Sequence, residues 1–112
     1  MAFTTATVAK YERGAKQFQG AFTDAWNVKL TVDPASIAAA AEDSATFTIP
    51  GVALGDIVIG WSAGVDLGAT TGCRVYVSAA NSLTISLTNY HASTALDLAS
   101  STWKVLIGRP SW

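Results

Sequence analysis

Two runs of strict apolar–polar alternation, joined by four small residues, occupy residues 72–89 and limit what this chain can become. Cys73, Val75 and Val77 alternate with Arg74, Tyr76 and Ser78, and Leu83, Ile85 and Leu87 alternate with Thr84, Ser86 and Thr88. A period of two places each apolar set on one side of a pleated strand. Between the runs, Ala79-Ala80-Asn81-Ser82 supplies a turn in which Asn81 can take a left-handed backbone angle. A lone hairpin is at best marginally stable in water, so the remaining chain must supply a second apolar layer.

The other segments repeat the pattern. Trp26, Val28, Leu30 and Val32 alternate with Asn27, Lys29, Thr31 and Asp33, and Pro34 ends that strand. Residues 44–50 place Ala45, Phe47 and Ile49 inward before the Pro50-Gly51 turn. In residues 56–61 the alternation puts Ile57, Ile59 and Trp61 on the inner face and Val58 outside. Residues 102–108 put Trp103, Val105 and Ile107 inside and Leu106 outside. The alanine-rich stretch 37–43 is too short for a stable helix and is expected to be a connection carrying at most one helical turn. Its adjacent carboxylates, Glu42 and Asp43, are expected at a solvated loop tip. Glycines at 60, 64, 68 and 72 mark a loop with a short extended piece near Val65–Leu67, and residues 90–101 form a second loop of small polar residues. About six short strands with turn chemistry between them predict an all-β, antiparallel, jelly-roll-like sandwich.

Residues 1–25 commit to no single period, because Gly14 and Gly20 interrupt it. They carry Phe3, Tyr11, Phe18 and Phe22, more aromatics than a disordered tail usually holds. The expected division is an extended N-terminal arm over residues 1–25 that orders against its own sheet or a neighbouring chain, and a β body over residues 26–112.

Only 13% of the 112 residues are charged, against a usual figure of roughly 25%. Such a surface suits a chain inside an assembly better than a freely diffusing monomer. The net charge of −1 gives no global signal for nucleic acid or anionic lipid. Lys10, Arg13, Lys16 and Lys29 outweigh Glu12 and Asp24 in the first thirty residues, whereas carboxylates dominate the rest. Cys73, the single cysteine, excludes an internal disulfide and is expected as a small buried hydrophobe. No window approaches the roughly 18 apolar residues of a membrane span, and no apolar leader interrupts the threonine-rich start, which predicts synthesis in a cytoplasm.

Reactive constellations are sparse. His91, the only histidine, could meet Asp97 and a serine, but any serine-rich chain offers that. Cys73 and His91 fall short of the four ligands of a structural zinc site, so no metal or cofactor is expected. The chain is therefore expected not to be an enzyme. Val58, Tyr76 and Leu106 occupy outward positions that water would make polar, and they are candidate self-association residues.

Four segments, residues 32–37, 45–56, 75–89 and 101–107, together resemble a small β-domain of tailed bacteriophages, found in capsid decoration (cement) proteins and at fibre tips. The resemblance spans about residues 26–108, and its most specific part is the Ser-Ala-Ala-Asn turn at 78–81 with its flanking strands. It implies a non-enzymatic homotrimer on the capsid exterior, assembled in the host cytoplasm and clamping neighbouring capsomers. Its partner would be the major capsid protein, with neither nucleic acid nor membrane involved. The arm would then dock on the shell through Phe3, Tyr11, Arg13, Lys16, Phe18 and Phe22. The alternative from the same resemblance is a receptor- or carbohydrate-binding fibre module, with loops 60–72 and 90–101 and Trp61, Tyr90 and His91 at the ligand.

Overall fold

The computed structural model describes residues 5–13 and 21–111, with side chains for Arg13 and residues 21–111. Among these residues every regular element is a strand: β1 (Thr5–Arg13), β2 (Phe22–Asp33), β3 (Glu42–Thr48), β4 (Ile57–Ser62), β5 (Thr71–Ala79), β6 (Ser82–Asn89) and β7 (Ser101–Pro110). No helix among them is long and apolar enough to cross a membrane. Strands β2, β7 and β4 make one layer and β3, β6 and β5 the other, and β1 extends the first to the order β1-β2-β7-β4. All strand pairs are antiparallel.

The alternation that opens the sequence builds the core. Trp26, Val28, Leu30 and Val32 of β2 face Phe47 of β3, Leu83, Ile85 and Leu87 of β6, and Trp103, Val105 and Ile107 of β7 in one buried cluster. Burying side chains of this size contributes roughly 1.5–3 kcal/mol each, so this two-layer, sandwich-like body is held chiefly by its inner faces. The β5–β6 turn forms as expected, with Asn81 at φ 61°. Its side chain does more than turn the chain. Asn81 Oδ1 accepts from Gly51 N at 2.8 Å, its backbone N–H donates to Val52 O at 2.7 Å, and its carbonyl accepts from Ile49 N at 2.9 Å. The hairpin tip is thereby fastened to the chain leaving β3.

The segment before Trp26 takes one of its two expected courses and pairs with the body's own sheet: β1 runs antiparallel to β2, with Thr5 opposite Asp33 and Arg13 opposite Trp26. Several other expectations are revised. β2 itself starts at Phe22, ahead of the expected boundary at residue 26. Glu42 and Asp43 begin β3 and do not sit at a loop tip, and alternation sends Glu42 outward and leaves Asp43 6% exposed. The connection before them is a turn with Ala40 at φ 58°, tied down by the Ile37–Leu96 bridge, and it contains no helical turn. No extended piece forms near Val65–Leu67, where Asp66 Oδ1 instead accepts from Gly68 N at 2.9 Å.

The largest revision concerns β4. Its register against β7 shifts between Val58 and Gly60, so Ile59 is an extra, bulged residue. Val58 stands opposite Ile107 and Trp61 opposite Val105, both inward-facing partners. Val58 is accordingly half-buried against the core rather than exposed on the outer face, while Ile57 and Ile59 are 41% and 40% exposed. Period-two reasoning fails wherever one residue is inserted, because a one-residue slip reverses every facing beyond it.

Candidate functional site

The outer face of the β1-β2-β7-β4 sheet departs most from what water would favour. Outward positions are Ala25, Asn27, Lys29 and Thr31 on β2 and Thr102, Lys104, Leu106 and Gly108 on β7, since they alternate with the buried residues. At one end this face is apolar. A side chain at Gly108 would meet Phe22 Cδ1 at 2.8 Å and Ile59 Cδ1 at 2.9 Å, so both side chains cross over that glycine. Ala25, opposite Gly108, is only 3% exposed on this outer face. Two small residues thus make a floor, and Phe22 and Ile59 cover it from strands on either side. Ile57, also opposite Gly108, extends the patch towards solvent.

Beyond Leu106 the face opens into a groove of about 500 Å³ lined by Asn27, Val28, Lys29, Gly60, Trp61, Ser62, Lys104, Val105 and Leu106. Val28 and Val105 point into the core, so their backbone forms the groove floor. Gly60, opposite Leu106, leaves the depression open because it carries no side chain. Trp61 borders it, stacked on buried Trp103 with centroids 5.5 Å apart and planes 10° from parallel. Lys29 and Lys104 are directly opposite each other in the β2–β7 register, and both are exposed.

The outer face of the smaller sheet is different in kind. Glu42 accepts from Ser86 Oγ at 2.5 Å and from Arg74 at 2.9 Å, which holds its carboxyl below the usual range. Arg74 also lies over Tyr76, 5.5 Å from its ring centroid. Thr84 Oγ1 donates to Ser78 Oγ at 2.7 Å and lies 3.1 Å from Thr46 Oγ1. This is a hydroxyl-rich surface whose polar groups satisfy one another.

One end of the body is closed by an ionic latch. Trp26 lies between two guanidinium groups, Arg13 at 4.9 Å and Arg109 at 5.2 Å from its centroid, and donates from Nε1 to Pro50 O at 3.1 Å. Arg13 pairs with Asp24 at 2.6 Å, and Arg109 grips both oxygens of Asp56 at 2.8 Å and the carbonyl of Gly51. Burial works to raise the Asp56 carboxyl, but hydrogen bonds from Arg109 and from Ala53 N–H, with the nearby guanidinium charges, hold it below its ordinary value. The opposite loop is anchored by Asn89, 1% exposed, whose amide donates to the carbonyls of Ile37, Ala38 and Thr94.

The sequence-derived candidates are scattered over this framework. Val58 lies inside, Leu106 on the outer face of the larger sheet and Tyr76 on the outer face of the smaller one, so the three share no patch. Of the arm residues, Phe3, Lys16 and Phe18 lie outside the described residues, Tyr11 stands on β1 opposite Val28, Arg13 belongs to the latch and Phe22 to the apolar floor. Tyr90 is 70% exposed and rests against Gly72, while Trp61 lies on β4 at the groove. His91 Nδ1 accepts from the backbone amides of Ser93 and Thr94 at 3.1 and 3.0 Å, so that nitrogen is not available to an orienting carboxylate. Cys73 is half-buried, and burial pushes its thiol up to about 11. Among the described residues no three His, Cys, Asp or Glu side chains are placed to hold a metal ion. Ile57, Ile59, Lys29 and Lys104 were not singled out from the sequence, because their surroundings are set by the bulge and by long-range register. Comparison with known protein families, with curated proteins and with solved structures finds no match for this chain.

Proposed function

We propose that this chain is a structural component of a bacteriophage particle, a capsid decoration protein that acts as a homotrimer on the capsid exterior and binds the major capsid protein between capsomers. The observation that carries the reading is the outer face of the larger sheet, where Phe22, Ile57, Ile59 and Leu106 present apolar surface at positions a solvated sheet would make polar. Copies of the chain, or the shell, would cover it. Support also comes from the segments that resemble phage β-domains, which fall largely on β3, β5, β6 and β7. The strand order adds to it. Pairs β2·β7, β4·β7, β3·β6 and β5·β6, with β2, β3, β4 and β5 alternating between layers, follow the wrapped-hairpin connectivity of a jelly roll lacking one strand pair.

Sedimentation of the full chain, alone and with undecorated capsids, tests this. A trimer that co-sediments with capsids, and that loses both properties on Ile57→Lys with Ile59→Lys, is the expected result. A monomer at all concentrations that leaves capsids bare would refute it. The fibre-module alternative is favoured by one feature, Trp61 on β4, 38% exposed and stacked on Trp103. Saturable glycan binding lost on Trp61→Phe would replace the decoration reading with that one.

A further inference from the structure

Each described arginine has a carboxylate partner: Arg13 with Asp24, Arg74 with Glu42 and Arg109 with Asp56. The two lysines in the groove do not. Lys29 and Lys104 stand directly opposite each other on the central strands of the larger sheet, and neither pairs with a carboxylate among the described residues. Like charges in that position oppose pairing. The register continues the row, since Lys10 of β1 is the partner of Lys29. Glu12 stands opposite Asn27 in the same strand pair. Two unpaired cations thus lie side by side on the central strands of a chain whose net charge is −1.

The lysines border a depression lined mainly by apolar atoms, with Leu106 and Gly60 opposite each other beside them. Cationic ends over an apolar floor suit a ligand that carries anionic groups and apolar groups close together. A polypeptide segment rich in Glu or Asp and interleaved with apolar residues has both. A single-stranded nucleic acid would need free aromatic faces for its bases, and Trp61, the one aromatic among the lining residues, turns its ring to the core side of β4 against Trp103. A saccharide would need several planar polar side chains, and Asn27 provides the one amide among the lining residues.

We propose that the groove between Lys29 and Lys104 is a docking site for an acidic segment of a partner polypeptide. This holds whether or not the larger particle is a capsid, and it can be tested on the isolated chain. The full chain is titrated at low salt with poly-L-glutamate, following its intrinsic tryptophan fluorescence, with polygalacturonate and an oligothymidylate as parallel probes. The expected result is saturable binding of poly-L-glutamate, weakened about tenfold in Lys29→Gln/Lys104→Gln and weakened by added salt. Lys29→Arg/Lys104→Arg should retain it, and Arg74→Gln on the opposite sheet should leave it unchanged. Equal binding by the wild type and the Gln pair, or no saturable binding by the wild type, would overturn the proposal. Tighter binding of polygalacturonate or of the oligothymidylate would overturn it in favour of a glycan or a nucleic acid.

Discussion

Replacing Asn89 by alanine tests how the long 90–100 loop is held. The Asn89 amide donates to Thr94 O at 2.9 Å, Ile37 O at 3.2 Å and Ala38 O at 3.3 Å, while Oδ1 accepts from His91 N at 3.0 Å. Ile37 O keeps a second donor in Leu96 N, and Ala38 O keeps Ala41 N. Thr94 O and His91 N are therefore the groups that truncation strands. A stranded polar group costs about 1–3 kcal/mol, at the lower end where water can enter, so Asn89→Ala is expected to cost about 2–4 kcal/mol in total. For a domain of this size that lowers Tm by roughly 8–16 °C and is a large fraction of the whole stability. Urea unfolding followed by tryptophan fluorescence measures it. Asn89→Asp sharpens the test, because it keeps the acceptor for His91 N but sets a carboxylate against three carbonyl oxygens. Aspartate should be at least as damaging as alanine. A near-native Asn89→Asp variant would show that the side chain merely caps His91 and that the three carbonyls find water instead.

Three further outcomes follow from the latch, the hairpin tip and the thiol. Asp56→Asn should cost about 2 kcal/mol at neutral pH, because it leaves the Arg109 guanidinium without its counter-charge. Because the folded-state pKa of Asp56 is depressed, its contribution is present above the ordinary carboxylate range and disappears as pH falls through the folded value. The stability difference between wild type and Asp56→Asn should therefore shrink on acidification, and a pH-independent difference in Tm would refute the ion pair's role. Asn81→Ala should cost about 1–2 kcal/mol in urea unfolding and Asn81→Gly less, since glycine accepts φ 61° and loses only the contact with Gly51 N; the reverse order would deny the left-handed turn its importance. Cys73 should react with a disulfide reagent at neutral pH at least about tenfold more slowly than an ordinary thiol, because burial raises its pKa to about 11 and shields the sulfur, and at the ordinary rate once the chain is unfolded.

The inner faces were legible because burial enforces alternation. Trp26, Leu30, Leu83, Ile85, Leu87, Trp103 and Ile107 are all fully buried where a period of two puts them. Asn81 was legible because few residue types accept its backbone angle. Asn89 was not, since a polar residue at the end of a strand gives no hint that two carbonyls from the distant 37–38 segment and one from nearby Thr94 converge on it. β1 escaped because Gly14 and Gly20, just beyond it, break the period of the first 25 residues, although an edge strand needs only one apolar face and a partner. The groove escaped for a third reason. Lys29 and Lys104 are separated by most of the chain, and only the β2–β7 register, fixed by the core on the other side of the sheet, makes them neighbours.

The β4 bulge connects these points, and its removal can be reasoned through residue by residue. With Ile59 deleted, Val58 and Gly60 become consecutive, and regular alternation then places Val58 inward, Gly60 outward and Trp61 inward, which is the facing the bulge already achieves. The core should therefore accept the deletion. What changes is the outer face, where Phe22 is left to cover Gly108 and Ala25 alone. Ile59 is 40% exposed, so its loss should cost about 1 kcal/mol, with native circular dichroism and an unchanged Trp61–Trp103 stack. Deleting Leu30 from the regular, central β2 should by contrast abolish folding, because it reverses the facing of half a strand between two neighbours. If removing Ile59 unfolds the protein as Leu30 does, the bulge is a requirement of the core. If the variant folds and self-association weakens, the extra residue serves the outer surface, and the apolar face is a feature the sequence maintains separately from its fold.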